Sequence, residues 1–575
     1  MKSLINFLTF ASVVVGLSMN AQAVYTIPKF RINQYYDSNA VLQRGVTLPI
    51  SGTADWGKTV SVTFNGQTLS TTATIEGPFK DNGEGRWTVN FPAMEAGGPY
   101  TLSVTDGTKT LTATNILVGD VWLVSGQSNA YYPIERFAAK DEWAKDADYP
   151  KIHFIMAGEN HYEWILNQKP WQVASSETIG KCSATGFFFA KELQKSVDVP
   201  MGVCVAAWDG SWIKQWMPGG QHYESMLNNK LEPLMPFPVK GVIWYQGESD
   251  GMFARGFEHR YNLQKMIQDW RQRFNSPELP FLVAQLPHFG AYFLWYEIRD
   301  SQNWVAAHEK NVYVVPTLDI GDLKDIHPPR KPELGKRLSA FARKYVYGEK
   351  NVNPEGPVFR SVEPKDGELI VRFKVNSPIK SSDGNPLNGF QVSGGEKDKF
   401  HKAVVRIVDG ETLAVSSPEV KAPVAVRYGC VNEEHVNFFD SDGYSAAAFR
   451  SDSFKLPTEK MMEDKKHEHA WTLTASGAEL TAVCSKDGCK GGKPRFAVGG
   501  ESSKVYDGQP LKAVQEGTDF AARTGSSLGS IEYYQNGKKL SGAPTEVGVY
   551  EARIDVDHAG KIYTVTRKIE IKAAR

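Results

Sequence analysis

Apolar positions change their period several times along the chain, and each change marks a change of architecture. At the start, Lys2 precedes a mostly apolar run from Leu4 to Met19 and the small-residue triplet Ala21-Gln22-Ala23. A short basic segment, an apolar stretch and an A-x-A site make a secretory signal peptide, so residues 1–23 are expected to be cleaved. The run is short for a helix spanning a bilayer, which takes about 20 residues. No membrane span is expected after cleavage; an uncleaved anchor helix is the alternative.

From 24 to 118 the period is two. Thr59-Val-Ser-Val-Thr-Phe64 alternates, Asn65-Gly66 is a hairpin turn, and Trp87–Phe91 and Tyr100–Val104 are further strands. A small β-sandwich domain is predicted. From 119 to 348 the strands become apolar throughout: Leu117–Val124, Met201–Ala207, Val239–Tyr245, Phe281–Leu286 and Val312–Leu318. Strands apolar on both faces suit a parallel sheet covered by helices. Leu263, Met266, Ile267, Trp270 and Phe274 recur at helical spacing, as do Leu334, Leu338, Phe341, Ala342 and Tyr345. An α/β domain is predicted there. Residues 349–456 return to β with Glu368–Phe373 and Ala422–Tyr428. Residues 457–575 join a polar linker, Thr458 to His469, to a final β module in which Tyr533 and Tyr534 read as core rather than as a sugar platform.

Composition narrows the function. The 575 residues carry 65 basic and 65 acidic side chains, which argues against a nucleic-acid binder, since these carry a basic excess. Hydrophobic residues are 41%, too many for intrinsic disorder at zero net charge. The five cysteines are Cys182, Cys204, Cys430, Cys484 and Cys489, too few for a disulfide scaffold. Cys182 and Cys204 read as buried thiols or a pair. His467, His469, Cys484 and Cys489 leave a zinc site, a disulfide or two free thiols open.

Four polar motifs follow strands of the α/β segment, where open sheets bind ligands. Ser125-Gly-Gln-Ser-Asn129 places Ser128 at a strand end as a candidate nucleophile, or simply makes a turn. Trp208-Asp-Gly-Ser-Trp212 offers the Gly210 N–H, and Tyr245-Gln-Gly-Glu-Ser-Asp250 offers the Gln246 amide, as donors to an oxyanion with the Ser128 N–H. Asp319-Ile-Gly-Asp-Leu-Lys-Asp-Ile-His-Pro328 offers His327 as general base and Asp325 as its orienter, with Asp322 or Asp319 as fallback. A non-catalytic glycan-binding surface protein, with several β modules and many aromatics, is the competing class. It does not require the Ser128/His327/Asp325 set.

These stretches resemble the sialate O-acetylesterases within the SGNH-hydrolase class of carbohydrate esterases. The resemblance rests on Val41-Leu-Gln-Arg44, Gly85-Arg-Trp87, Gly97-Gly-Pro-Tyr100, Gly119-Asp-Val-Trp122 with Ser125–Asn129, Gly241–Glu248, Asp325-Ile-His-Pro328, and Val426-Arg-Tyr428 with Phe449-Arg450. It implies a multidomain chain: a central SGNH-like α/β hydrolase domain, with a parallel sheet flanked by helices, carrying accessory β-sandwich modules. It implies a Ser/His/Asp acyl-enzyme hydrolase that removes O-acetyl groups from sugars; no cofactor or metal is expected, and the leader at 1–23 makes the bacterial periplasm or the extracellular space the expected location. Sialic-acid esters are the first substrate, acetylated xylan or another hemicellulose the alternative. Gln127, Asn129, Glu248, Arg136 and Arg299 are candidate substrate contacts. The final module resembles Ig-like additions of bacterial secreted proteins. Three positions depart from the family pattern: Ala130 where Met is frequent, Asp209 in place of a glycine, and Lys324 where the wider class has its acid.

Overall fold

The computed structural model describes residues 29–574, apart from 76–82, 146, 158–170, 219–225, 236, 291–293, 432–435, 467–469, 487–492, 518–519 and 525. The expected signal peptide, His467, His469 and Cys489 lie outside the described residues. The chain divides into two compact units, Met1–Thr458 and Glu459–Arg575.

The first unit is organised by one long strand, Thr110–Gly126. Its first half is largely solvated, and from Ile116 onward every residue is buried. The buried half runs parallel to Met201–Ala207 on one side and Gly241–Tyr245 on the other. Tyr149–Met156, Phe281–Ala284 and Val312–Val315 extend the parallel array outward. Successive residues serve opposite faces: Val121, Leu123, Cys204 and Trp244 pack in one apolar cluster, and Trp122, Val124, Val203 and Ile243 in the other. Helix Gly256–Arg273 covers the first face with Leu263, Met266, Ile267 and Trp270. Helices Ala184–Val197 and Lys331–Tyr345 cover the second with Phe187, Leu193, Leu338 and Phe341. Two buried faces are the reason these strands are apolar throughout.

The solvated half of the same strand pairs with Gly97–Thr105, which pairs with Thr59–Phe64. The Asn65-Gly66 hairpin forms, with both residues at positive φ as its turn requires. The break expected at 118/119 therefore falls inside one strand, and the amino-terminal β layer is continuous with the parallel sheet. Gly97-Gly-Pro99 lies within the strand Gly97–Thr105, at a bulge.

Residues after 349 form antiparallel sheets built on Glu368–Lys374 and Ala425–Tyr428. They are fastened to the α/β layer by polar contacts. Gln285 accepts from the Ala448 N–H at 2.9 Å, and Asn303 donates to its carbonyl at 2.6 Å. Arg299, expected at the substrate, is here instead. It is fully buried and donates to the carbonyls of Leu286, Pro287 and Gly429, each at 2.7 Å. A buried guanidinium with each of its three nitrogens on a backbone oxygen is a joint, not a ligand contact.

Cys182 and Cys204 are separate buried thiols, both pushed up by burial. The second unit has a four-stranded antiparallel sheet from Trp471 to Glu516 and a second sheet centred on Gly548–His558 and Lys561–Lys572. Tyr533 is buried in its core, with its hydroxyl accepting from the Ala513 N–H at 2.9 Å. Tyr534, on the opposite face, packs under Arg553. No helix among the described residues is long and apolar enough to cross a membrane.

Arg299→Met takes the donor from the buried Leu286 and Gly429 carbonyls, while the Pro287 carbonyl keeps Trp295 Nε1 at 2.9 Å. The substitution is expected to lower the unfolding free energy by about 3 kcal/mol, read as a lower urea midpoint with the slope unchanged.

Candidate active site

The organising strand ends in a sharp turn. Gly126 has φ +130°, and a Cβ there would stand 2.1 Å from the Tyr245 carbonyl oxygen. Only glycine fits this backbone. The turn delivers Ser128 as the first residue of a four-residue helix, Ser128–Tyr131. That helix is held from the next element: Thr185 Oγ1 donates to the Asn129 carbonyl at 2.8 Å and Ser183 Oγ to the Ala130 carbonyl at 2.6 Å. Ala130 is fully buried in the apolar cluster below.

His327 comes to Ser128 from the loop after Val312–Val315. Its Nε2 lies 2.8 Å from Ser128 Oγ. Asp325 Oδ1 accepts the His327 backbone N–H at 2.8 Å and lies 3.7 Å from Nδ1. The carboxylate thus fixes the His327 backbone and faces the imidazole at ion-pair range. The two fallback acids are placed elsewhere. Asp319 is gripped by Arg337 at 2.7 and 2.6 Å, and Asp322 caps the N–H groups of Lys324 and Asp325. Tyr132 stacks on the imidazole, with centroids 4.4 Å apart, and donates its hydroxyl to Asp209 at 3.1 Å. Burial is the largest influence on His327 and pushes it below the usual 6.5; Asp325 opposes this and Lys331 adds to it. A neutral imidazole with a free lone pair can take the serine proton near neutral pH.

Beneath the pair lies a buried polar chain. Asn129 Nδ2 donates to Glu248 Oε1 at 2.7 Å and to the Ile326 carbonyl at 3.0 Å, and its Oδ1 accepts from Lys331 Nζ at 2.6 Å. All three side chains are at most 2% exposed. Burial pushes Glu248 up and Lys331 down, each to about 7. Gly247 makes the turn into Glu248 at φ +141°, where a Cβ would meet Ile298 at 2.6 Å.

Gln127, Asn129 and Glu248, expected to touch substrate, point their side chains inward. Gln127 Oε1 accepts from Gln246 Nε2 at 3.3 Å and the Ser249 N–H at 3.2 Å. Gln246, expected as an oxyanion donor, is fully buried, and its amide also faces Asp250 Oδ2 at 2.6 Å and the Ser211 carbonyl at 3.2 Å. Its two N–H groups are occupied by these acceptors. Two backbone N–H groups have no such acceptors. Ser128 opens its helix, so its N–H has no intrahelical acceptor. The Gly210 N–H has no backbone acceptor among the described residues, and open space lies above its Cα. Arg136 is exposed and sits 4.6 Å from the Tyr132 ring. Among the described residues no group of His, Cys, Asp and Glu is arranged to hold a metal.

Sequence reasoning missed Lys331, Tyr132 and Asp250. Tyr132 was within reach, since it lies one helical turn after Ser128. Lys331 lies four residues after His327, but a lysine opening a helix gives no sign of burial.

Comparisons with known proteins agree with this architecture. A family model for a carbohydrate esterase, sialic acid-specific acetylesterase, matches residues 118–344. The chain is 26% identical to human sialate O-acetylesterase over 461 residues, covering 69% of this chain and 87% of the relative. The mouse enzyme of the same name is 25% identical over 497 residues, covering 69% of this chain and 89% of the relative. Among solved structures, a carbohydrate acetylesterase from Xanthomonas citri superposes with TM-score 0.67 at 32% identity, covering 74% of this chain and all of that one. These matches define a carboxylic-ester hydrolase, a carbohydrate O-acetylesterase. The chain belongs to the sialic acid-specific acetylesterase family of carbohydrate esterases.

The acid limb of kcat/KM is expected below pH 6.5, because the active form is neutral His327 and burial depresses its pKa. Asp325→Asn removes the group that opposes the depression, so the limb should move to still lower pH. Lys331→Met removes a cation that adds to it, so there the limb should move up. Rate profiles against pH for the three proteins check both signs.

Proposed function

We propose that the protein is an exported serine esterase that removes O-acetyl groups from glycans through an acetyl-enzyme. The observation that carries this reading is the 2.8 Å contact between Ser128 Oγ and His327 Nε2 at the carboxyl end of a parallel sheet. His327 takes the Ser128 proton as Oγ attacks the acetyl carbonyl. The negative charge forming on that oxygen is met by the Ser128 and Gly210 N–H groups, with Gln246 bracing the turn behind them. Protonated His327 then gives its proton to the departing sugar oxygen. In the second half a water loses a proton to His327 and attacks the acetyl-enzyme, and Ser128 recovers its proton as acetate leaves. Asp325 holds the His327 backbone and stabilises the imidazolium. In this reading the central domain is SGNH-like and no cofactor takes part.

Sialic-acid O-acetyl esters are the first substrate. This reading is supported by the names of the family and of its mammalian relatives. Neutral acetylated polysaccharide is the second, favoured by Asp209, whose exposed carboxylate beside Tyr132 adds negative charge where a carboxylated sugar would enter. Export rests on the leader-like residues 1–23.

Ser128→Ala removes the nucleophile. It should cut acetate release by about 10⁴-fold or more with the fold intact, measured on O-acetylated sialoglycan and acetylated xylan side by side. Unchanged turnover would overturn the assignment.

A further inference from the structure

The loop that carries Gly210 also carries two tryptophans, and the hydrolysis of an ester has no use for them. Trp208 is 36% exposed. Its N–H donates to the Gly126 carbonyl at 3.1 Å, which places it two residues from the nucleophile on the neighbouring strand end. Buried Lys230 packs on the Trp208 ring, with Nζ 4.7 Å from the ring centre. Trp212 lies 5.0 Å from Phe253, and the Arg255 guanidinium lies 4.1 Å from the Trp212 ring. Phe253 follows the short helix Glu248–Met252 and is 57% exposed. The two segments are tied together, because Ser249 Oγ donates to the Gly210 carbonyl at 2.9 Å. Between the tryptophans, the exposed Asp209 carboxylate reaches Tyr132, which stacks on His327.

This strip therefore starts at the catalytic imidazole and runs over Tyr132, Asp209 and Gly210 to exposed aromatic rings. Exposed aromatics are costly in water and mark binding surfaces where they cluster beside a site. A pyranose ring has an apolar C–H face that lies against an aromatic ring, and hydroxyls that a carboxylate accepts. We propose that Trp208 and Phe253 form a subsite for an uncharged pyranose linked to the acetylated sugar, with Asp209 accepting one of its hydroxyls. The enzyme then reads a glycan chain rather than a free acetylated monosaccharide. The inference rests on the ester-hydrolase reading and extends it from the acetyl group to the neighbouring sugar.

The test compares two pairs of esters: acetylated xylotriose against acetylated methyl xyloside, and O-acetylated sialyl-lactose against free O-acetylated sialic acid. The readout is the ratio of kcat/KM for the longer member to the shorter, which cancels any loss of active protein. In the native enzyme the ratio should exceed one for the pair that is cleaved, and that pair identifies the source of the chain. Phe253→Ala and Trp208→Ala should each reduce the ratio about fivefold to tenfold, as expected for losing one aromatic contact. A ratio near one in the native enzyme overturns the subsite, and so does an equal loss on both members in the variants. Cleavage of p-nitrophenyl acetate with none of the four sugar esters also overturns it. Turnover retained by Ser128→Ala would instead remove the catalytic reading, a separate outcome.

Discussion

The side-chain amide of Asn129 is the joint on which the site depends. It holds three partners at once: Glu248 from the segment after Gly241–Tyr245, the Ile326 carbonyl from the histidine loop, and Lys331 from the helix that follows. Each partner arrives from a different stretch of chain. Serine and histidine lie 199 residues apart in sequence, so no local preference can set their separation. The amide does so by fixing the residue after Ser128 to the residue before His327. Burying a lysine and a glutamate together is expensive unless each finds hydrogen bonds, and the amide supplies one to each. The cost secures geometry, because a nucleophile and base misplaced by about an ångström lose much of their rate.

A second layer of constraints keeps that joint in place. The parallel sheet brings three strand ends side by side, with Gly126 opposite Ala207 and Tyr245. Gly126 can then pass so close to the Tyr245 carbonyl only because it lacks a side chain. Behind Gln246 the network continues into Asp250, which also accepts the Ile213 N–H at 3.0 Å. The loop bearing Gly210 is thus fixed from below by Asp250 and from the side by Ser249. Buried hydrogen bonds thus steady both the short helix that carries Ser128 and the loops that carry Gly210 and His327.

Much of this was legible in the sequence, for a physical reason. Strands buried on both faces must be apolar at every position, and polar residues that interrupt them at their ends stand out. Ser128, Gly210, His327 and Asp325 were singled out in that way, and the structure brings Ser128 and His327 to 2.8 Å. The family resemblance, carried by short motifs, added the chemistry. The boundary read at 118 lies where the long strand changes its surroundings. Thr110–Gly126 passes from a half-solvated layer into a doubly covered one, so its pattern changes in mid-strand while its backbone continues. A change of environment and a change of domain leave the same mark on a sequence.

What stayed hidden was the partner of each polar side chain. Arg299 and Arg136 look alike in sequence, each an arginine on or beside a short polar stretch. One is enclosed by three carbonyls from two layers, while the other stands in the open over Tyr132. Gln246 and Gly210 likewise exchange importance. The glutamine that was expected to face the oxyanion is used to brace the turn, and the Gly210 N–H is left without a backbone acceptor among the described residues. Where a reaction needs a donor that does not move, a backbone amide in a fixed turn serves better than a flexible side chain, because it costs no reorganisation when charge develops. That argument favours a site in which side chains hold the frame and the main chain receives the charge.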